Sequence, residues 1–110
     1  MTVAPTSSSS PLAHRDSFEI NRRNWDERAL IHARDLYDDY RLDAFRGGED
    51  TLFPIEMREI GDLRGKRVLH LECHIGCDTL SLARRGAHAT GLDFSPVALG
   101  VAGSRVGDRP

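Results

Sequence analysis

The chain has 110 residues, enough for one small domain with a modest core, and its 39% hydrophobic and 29% charged residues are ordinary for a soluble protein. Lys and Arg are scattered and the formal net charge is -2, so nothing predicts electrostatic binding to nucleic acid; no apolar run approaches the ~18 residues that would span a membrane. The opening MTVAPTSSSSPLA lacks the charged and apolar regions of a secretory signal, and two cysteines, Cys73 and Cys77, make no disulfide framework, so a reducing cytoplasm is expected.

Residues 1–13 are rich in Ser, Thr, Pro and Ala and read as a disordered tail. From Phe18 to Tyr40 the pattern is helical: Trp25, Ala29, His32, Leu36 and Tyr40 share one face and charged residues fill the others. Gly47 and Gly48 mark a loop, and Pro54 opens a short helix that stops at Gly61. These elements make residues 14–64 a helical segment. After Gly65 the run Val68-Leu69-His70-Leu71 reads as a buried strand. Leu80, Leu82 and Ala83 lie on a helix ending at Gly86, His88 to Asp93 is a second strand, and Ser95-Pro96 is an N-cap and first-turn pair for a last helix through Val97 and Leu99.

Two strands joined by one helix should be parallel, which predicts an α/β fold, the start of a Rossmann-like doubly wound parallel sheet over residues 65–110. Ligands in such sheets bind beyond the carboxyl ends of the strands. That edge is made here by Glu72, Cys73, His74, Ile75 and Gly76 and by Asp93 and Phe94. Gly76 lies just before a helix start, where a missing side chain lets backbone approach a ligand. Asp93 follows it by 17 positions and ends the second strand, where a carboxylate can accept two hydrogen bonds from ribose hydroxyls.

The stretch GKRVLHLECHIGCDTLSLARRGAHATGLDFSPVAL, Gly65 to Leu99, resembles the first two motifs of class I S-adenosylmethionine (SAM)-dependent methyltransferases. Gly91 to Pro96, Gly-Leu-Asp-Phe-Ser-Pro, is close to the second motif. The first motif departs from the family pattern: His70 replaces the usual acid, Glu72 and His74 stand where glycines are usual, and Gly76 is kept. A bacterial subset of the family has a similar Leu-x-Cys-His-x-Gly loop. The resemblance implies S-adenosyl-L-methionine as cofactor. Backbone around Glu72, Cys73, His74 and Gly76 would cradle its methionine and ribose part, Asp93 would hold the ribose hydroxyls, and Phe94 would pack on adenine. It implies methyl transfer to an unknown, small-molecule acceptor, with Trp25 and Tyr37 as candidate covers of the pocket against the plainer reading of a helix face packed on the sheet.

Two rivals use the same residues. An NAD(P)-binding oxidoreductase also needs a strand–turn–helix and a distal acid, but its pyrophosphate needs G-x-G-x-x-G, and His74 stands where glycine would admit phosphate. A metal site could draw on His70, Cys73, His74 and Cys77, but a strand would fan these side chains apart and no second distant pair exists. The plainer readings are a buried strand histidine at His70 and small apolar filler at the cysteines; His14, His32 and His88 show no partners. The family fold has seven strands and two are visible here. A truncated SAM-binding domain is therefore the expectation, with the C-terminal glycines adding no element, catalytic residues and acceptor site mostly elsewhere, and the isolated chain inactive and poorly folded.

Overall fold

The computed structural model describes residues 1–5 and 14–107. In chain order these form β1 (Thr2–Pro5), α1 (Arg15–Arg34), α2 (Leu42–Arg46), α3 (Pro54–Ile60), β2 (Arg67–Leu71), α4 (Cys77–Arg84), β3 (His88–Asp93) and α5 (Pro96–Ser104), followed by a short 3-10 turn at Arg105–Gly107. The strands make one parallel sheet in the order β1-β3-β2. Leu69 is opposite Thr90 and Leu71 opposite Leu92, so β2 and β3 end side by side and both loops open at one edge.

The β2–α4–β3–α5 course follows the sequence pattern, including the Ser95 cap, whose Oγ accepts the Ala98 N–H at 3.0 Å. Four expectations need correction. Thr2–Pro5, read from composition as tail, is a strand; its four residues pair with Thr90 to Asp93 of β3, and backbone pairing rather than apolar content holds them there. Residues 6–13 lie outside the described residues. Among the described residues the sheet therefore has three strands, not two.

The first helix ends at Arg34, not Tyr40. Asp35 takes left-handed backbone (φ 50°), and its carboxylate accepts the Tyr40 N–H at 2.8 Å and the Leu42 N–H at 2.9 Å. That clasp folds the chain back, leaves Leu36 and Tyr37 73% and 87% exposed, and starts α2. Five residues are too few for a helical period to show, yet Leu42 and Phe45 fall three apart and are both buried. The Arg84 guanidinium lies 4.1 Å over the Phe45 ring and donates to the Phe45 carbonyl at 2.8 Å, tying α2 to α4.

The C-terminal glycines do not stop structure: α5 continues to Ser104, Ala98 and Ala102 are buried, and Arg105 donates from Nε to the Ile75 carbonyl at 3.0 Å. Finally, β2 is not buried on both faces. Val68 and His70 turn inward, while Leu69 and Leu71 are 60% exposed because, among the described residues, no layer covers that face. On the covered side one apolar cluster joins Ala29, Leu42, Phe45, Ile75, Leu80 and Ala98, and a second joins Leu52, Leu63, Leu82, Ala87 and Ala89. The first carries α1 across α5, which sets α1 over the carboxyl ends of the strands. Asp26 accepts from the Ser95 hydroxyl and fixes that crossing.

Candidate functional site

Asp93 organises the edge where β2 and β3 end. It is 8% exposed, and its two oxygens accept the His74 N–H and the Ser95 N–H, each at 2.9 Å. One carboxylate thus ties the β2–α4 loop to the start of α5. A carboxylate has about four acceptor positions, so about two are left for a ligand.

The loop itself keeps a glycine-type backbone without the glycines. Glu72 and His74 both adopt left-handed conformation, at φ 56° and 51°, as does Gly76 at φ 84°. Such backbone costs a side-chain-bearing residue ~1–2 kcal/mol. Cys73 between them is buried, with its N–H on the Leu92 carbonyl at 2.9 Å and its side chain laid over Gly91; a Cβ at Gly91 would stand 2.8 Å from the sulfur. Burial pushes the Cys73 thiol up to about 11, and the nearby Asp93 charge adds to it. Because Glu72 is exposed and strained, Glu72→Gly should raise stability by ~0.5–1 kcal/mol, the relief of strain less glycine's greater entropy loss. A thermal midpoint ~2–6 °C higher would show it, and an unchanged or lower one would remove the strain.

Glu72, His74, Asp93 and Phe94 line one cavity of about 820 Å³ together with Trp25, Tyr40, Leu71 and Leu92. Cys73 and Gly76 are buried and are not among the residues that line it. Tyr37, weighed above as a cover, points to solvent, and Tyr40 takes that place. Trp25 stands edge-on to His74 at 5.7 Å, and Phe94 is braced edge-on by Phe18 at 5.4 Å.

His32, which shows no partner in the sequence, has two. Its Nδ1 lies 2.7 Å from His74 Nε2 and 2.9 Å from the Tyr40 hydroxyl. Nothing local signals the His32–His74 contact, because it joins residues 42 apart on separate elements. Desolvation, and then the neighbouring His32, hold His74 below its ordinary value of 6.5, against an upward pull from Asp93. The unfolded chain therefore takes up a proton at His74 near 6.5, and the folded chain only lower. Stability from this group is intact above 6.5, falls as pH drops through that value and levels off below the folded one. Thermal midpoints across that interval should fall more steeply for the natural chain than for His74→Gln; parallel curves would show that another group titrates.

The remaining candidate ligands go separate ways. His70 Nδ1 meets the Thr79 hydroxyl at 2.7 Å, half-buried as a strand histidine, and Cys77 is buried in the core under Ala98 and Leu80. His70 lies on β2, Cys73 and His74 in the loop that follows and Cys77 at the start of α4, so the four have different surroundings.

Known proteins similar to this chain share one activity. It is 52% identical over 42 residues to a ubiquinone biosynthesis O-methyltransferase of Aeromonas salmonicida (strain A449), covering 38% of this chain and 18% of that protein. It is 37% identical over 62 residues to a magnesium-protoporphyrin O-methyltransferase of Rhodobacter capsulatus, covering 56% and 28%. A ubiquinone biosynthesis O-methyltransferase of Aromatoleum aromaticum is 55% identical over 40 residues, covering 36% and 17%. The chain is related to methyltransferases. The match takes in less than a third of the length of each of these relatives. No family model and no solved structure matches. In this methyltransferase relative the small parallel sheet with flanking helices agrees with a Rossmann-like α/β fold, and among the described residues no helix is long and apolar enough to cross a membrane.

Proposed function

We propose that the chain binds S-adenosyl-L-methionine at the Asp93 cavity, as the cofactor-binding start of an enzyme that methylates a small-molecule acceptor. What carries the reading is the charge of the cavity wall. It presents two carboxylates, Glu72 and Asp93, and among the described residues no Lys or Arg. A sulfonium cation suits such a wall, and a dinucleotide's pyrophosphate would be repelled by it. The volume falls in the range of small-ligand sites. The aromatic residues Trp25, Tyr40 and Phe94 suit an adenine ring or a cationic sulfur.

Residue roles follow. Asp93 receives the ribose hydroxyls on its two remaining acceptor positions, Phe94 stacks on adenine, and backbone from Glu72 to Gly76 cradles the methionine end. Bound SAM would supply an activated methyl group, so the protein's task is alignment of donor and acceptor. The relatives' O-methyltransferase names favour an oxygen acceptor, and the free thiols Cys73 and Cys77 suit a reducing compartment such as the cytoplasm. Titration calorimetry with SAM and with NAD tests the reading: heat on SAM alone is the expected result, and binding of NAD alone would transfer the site to the oxidoreductases.

A further inference from the structure

Two imidazoles meet nitrogen to nitrogen at the cavity wall. His32 Nδ1, in the last turn of α1, lies 2.7 Å from His74 Nε2, and the rings stand edge to face with centroids 5.0 Å apart. A ring nitrogen either carries a hydrogen or offers one lone pair, so a single hydrogen lies between the two rings. The contact holds in a neutral pair and in a pair that has gained one proton. With both rings charged, two N–H groups face each other and two like charges repel, so the contact is lost. His74 lines the cavity beside Glu72 and Asp93, so each proton gained puts positive charge on a wall that is otherwise negative.

Resting on the SAM reading above, we propose that the His32–His74 pair is a proton-linked sensor of cofactor charge: neutral, it accommodates the sulfonium of SAM, and protonated, it favours the uncharged thioether S-adenosylhomocysteine. The proton is taken from water and returned to water when SAM binds. Linkage makes the effect reciprocal, so a cation in the cavity must in turn oppose proton uptake by the pair. A unit charge about 10 Å away, at an effective dielectric constant of about 20, changes binding on the order of tenfold. The groups facing the pair come from several elements. His74 faces His32 from α1, Tyr40 from the turn before α2 and Asp93 from the end of β3, and Glu72 shares its loop; His32 faces His74 and the Tyr40 hydroxyl, 2.9 Å from its Nδ1. Tyr40 stays a neutral phenol across the histidine range, because burial and then Cys77, Asp39 and Asp35 raise it, against Arg28. Desolvation and then His32 hold His74 below 6.5 against Asp93, so that ring is neutral at neutral pH and the sensor acts on acidification.

Histidine-ring NMR titrations of the natural chain, saturated with SAM or with S-adenosylhomocysteine as followed by calorimetry, test this. His32→Gln and His74→Gln assign the two rings. The expected result is that the pair titrates about one pH unit lower with SAM than with S-adenosylhomocysteine, equivalent to a tenfold fall in the SAM-to-thioether affinity ratio on acidification. In His32→Gln the His74 ring should titrate higher than in the natural chain, because its charged neighbour is gone. Equal titrations of the natural chain with the two ligands overturn the proposal while the cofactor reading stands, and they do so whether or not the variants fold. A His74 titration unmoved in a folded His32→Gln chain overturns the pairing. Absence of binding of either ligand to the natural chain at pH about 8, where unperturbed histidine is neutral, overturns both readings.

Discussion

Asp93→Ala should weaken SAM binding about 10- to 100-fold and lower stability by ~2–5 kcal/mol. The binding loss is that of charge-assisted hydrogen bonds to the ribose, worth ~1.5–3 kcal/mol. The stability loss has a separate origin. Truncation removes the acceptor of two N–H groups, those of His74 and Ser95, and an unmade buried hydrogen bond costs ~1–3 kcal/mol. The loop would also lose the tether that holds His74 in left-handed backbone. Asp93→Asn separates the effects: its single carbonyl oxygen can satisfy one of the two N–H groups, while its amide meets the other donor head-on. It should bind SAM weakly and be intermediate in stability. Calorimetric affinities and denaturant midpoints for the two variants check this. An Asp93→Ala chain of natural stability and natural affinity would remove Asp93 from both roles.

Gly76→Ala should be of similar size and act through stability alone. The residue sits at φ 84°, which costs an alanine ~1–2 kcal/mol. Its new Cβ would lie 2.7 Å from Ala102 Cβ and 3.1 Å from Ala102 Cα, so α5 must move, a repacking worth ~1–3 kcal/mol. The sum is ~2–5 kcal/mol. Ala102→Gly in the same chain should return part of the loss and not all of it, since the crowding against the α5 backbone and the left-handed conformation of the loop both remain. Denaturant unfolding of the single and double variants gives the coupling. Full additivity of the two changes would mean that α5 does not press on the loop.

Where local chemistry decided structure, the sequence was readable. Ser95-Pro96 names a helix start by itself, and His88 to Asp93 reads as a strand, which the structure forms with the same bounds. The grouping of Glu72, His74, Asp93 and Phe94 follows from two parallel strands ending at one edge. What escaped depends on partners distant in the chain. The helical spacing of Trp25, Ala29, His32, Leu36 and Tyr40 continues past Arg34, but the Asp35 carboxylate captures two backbone N–H groups and breaks the helix within that pattern. β1 is defined by β3, 88 residues away along the register from Thr2 to Thr90. His32 meets His74 only when α1 is laid over the loop by the Ala29–Ala98 core.

The left-handed backbone at Glu72 and His74 has a consequence for how such loops are recognised at all. A pattern that requires glycine at these positions tests for a letter, while the loop requires a dihedral angle, and the two come apart in this chain. Once Asp93 holds the His74 N–H and the Leu92 carbonyl holds the Cys73 N–H, the conformation is imposed by neighbours and the residue type is released. A carboxylate and an imidazole can then stand where the glycine version offers bare backbone. Searches that score φ at positions 72, 74 and 76, with an acid ending the next strand, would gather glycine and non-glycine loops into one class and sort them by the side chains they place in the cavity.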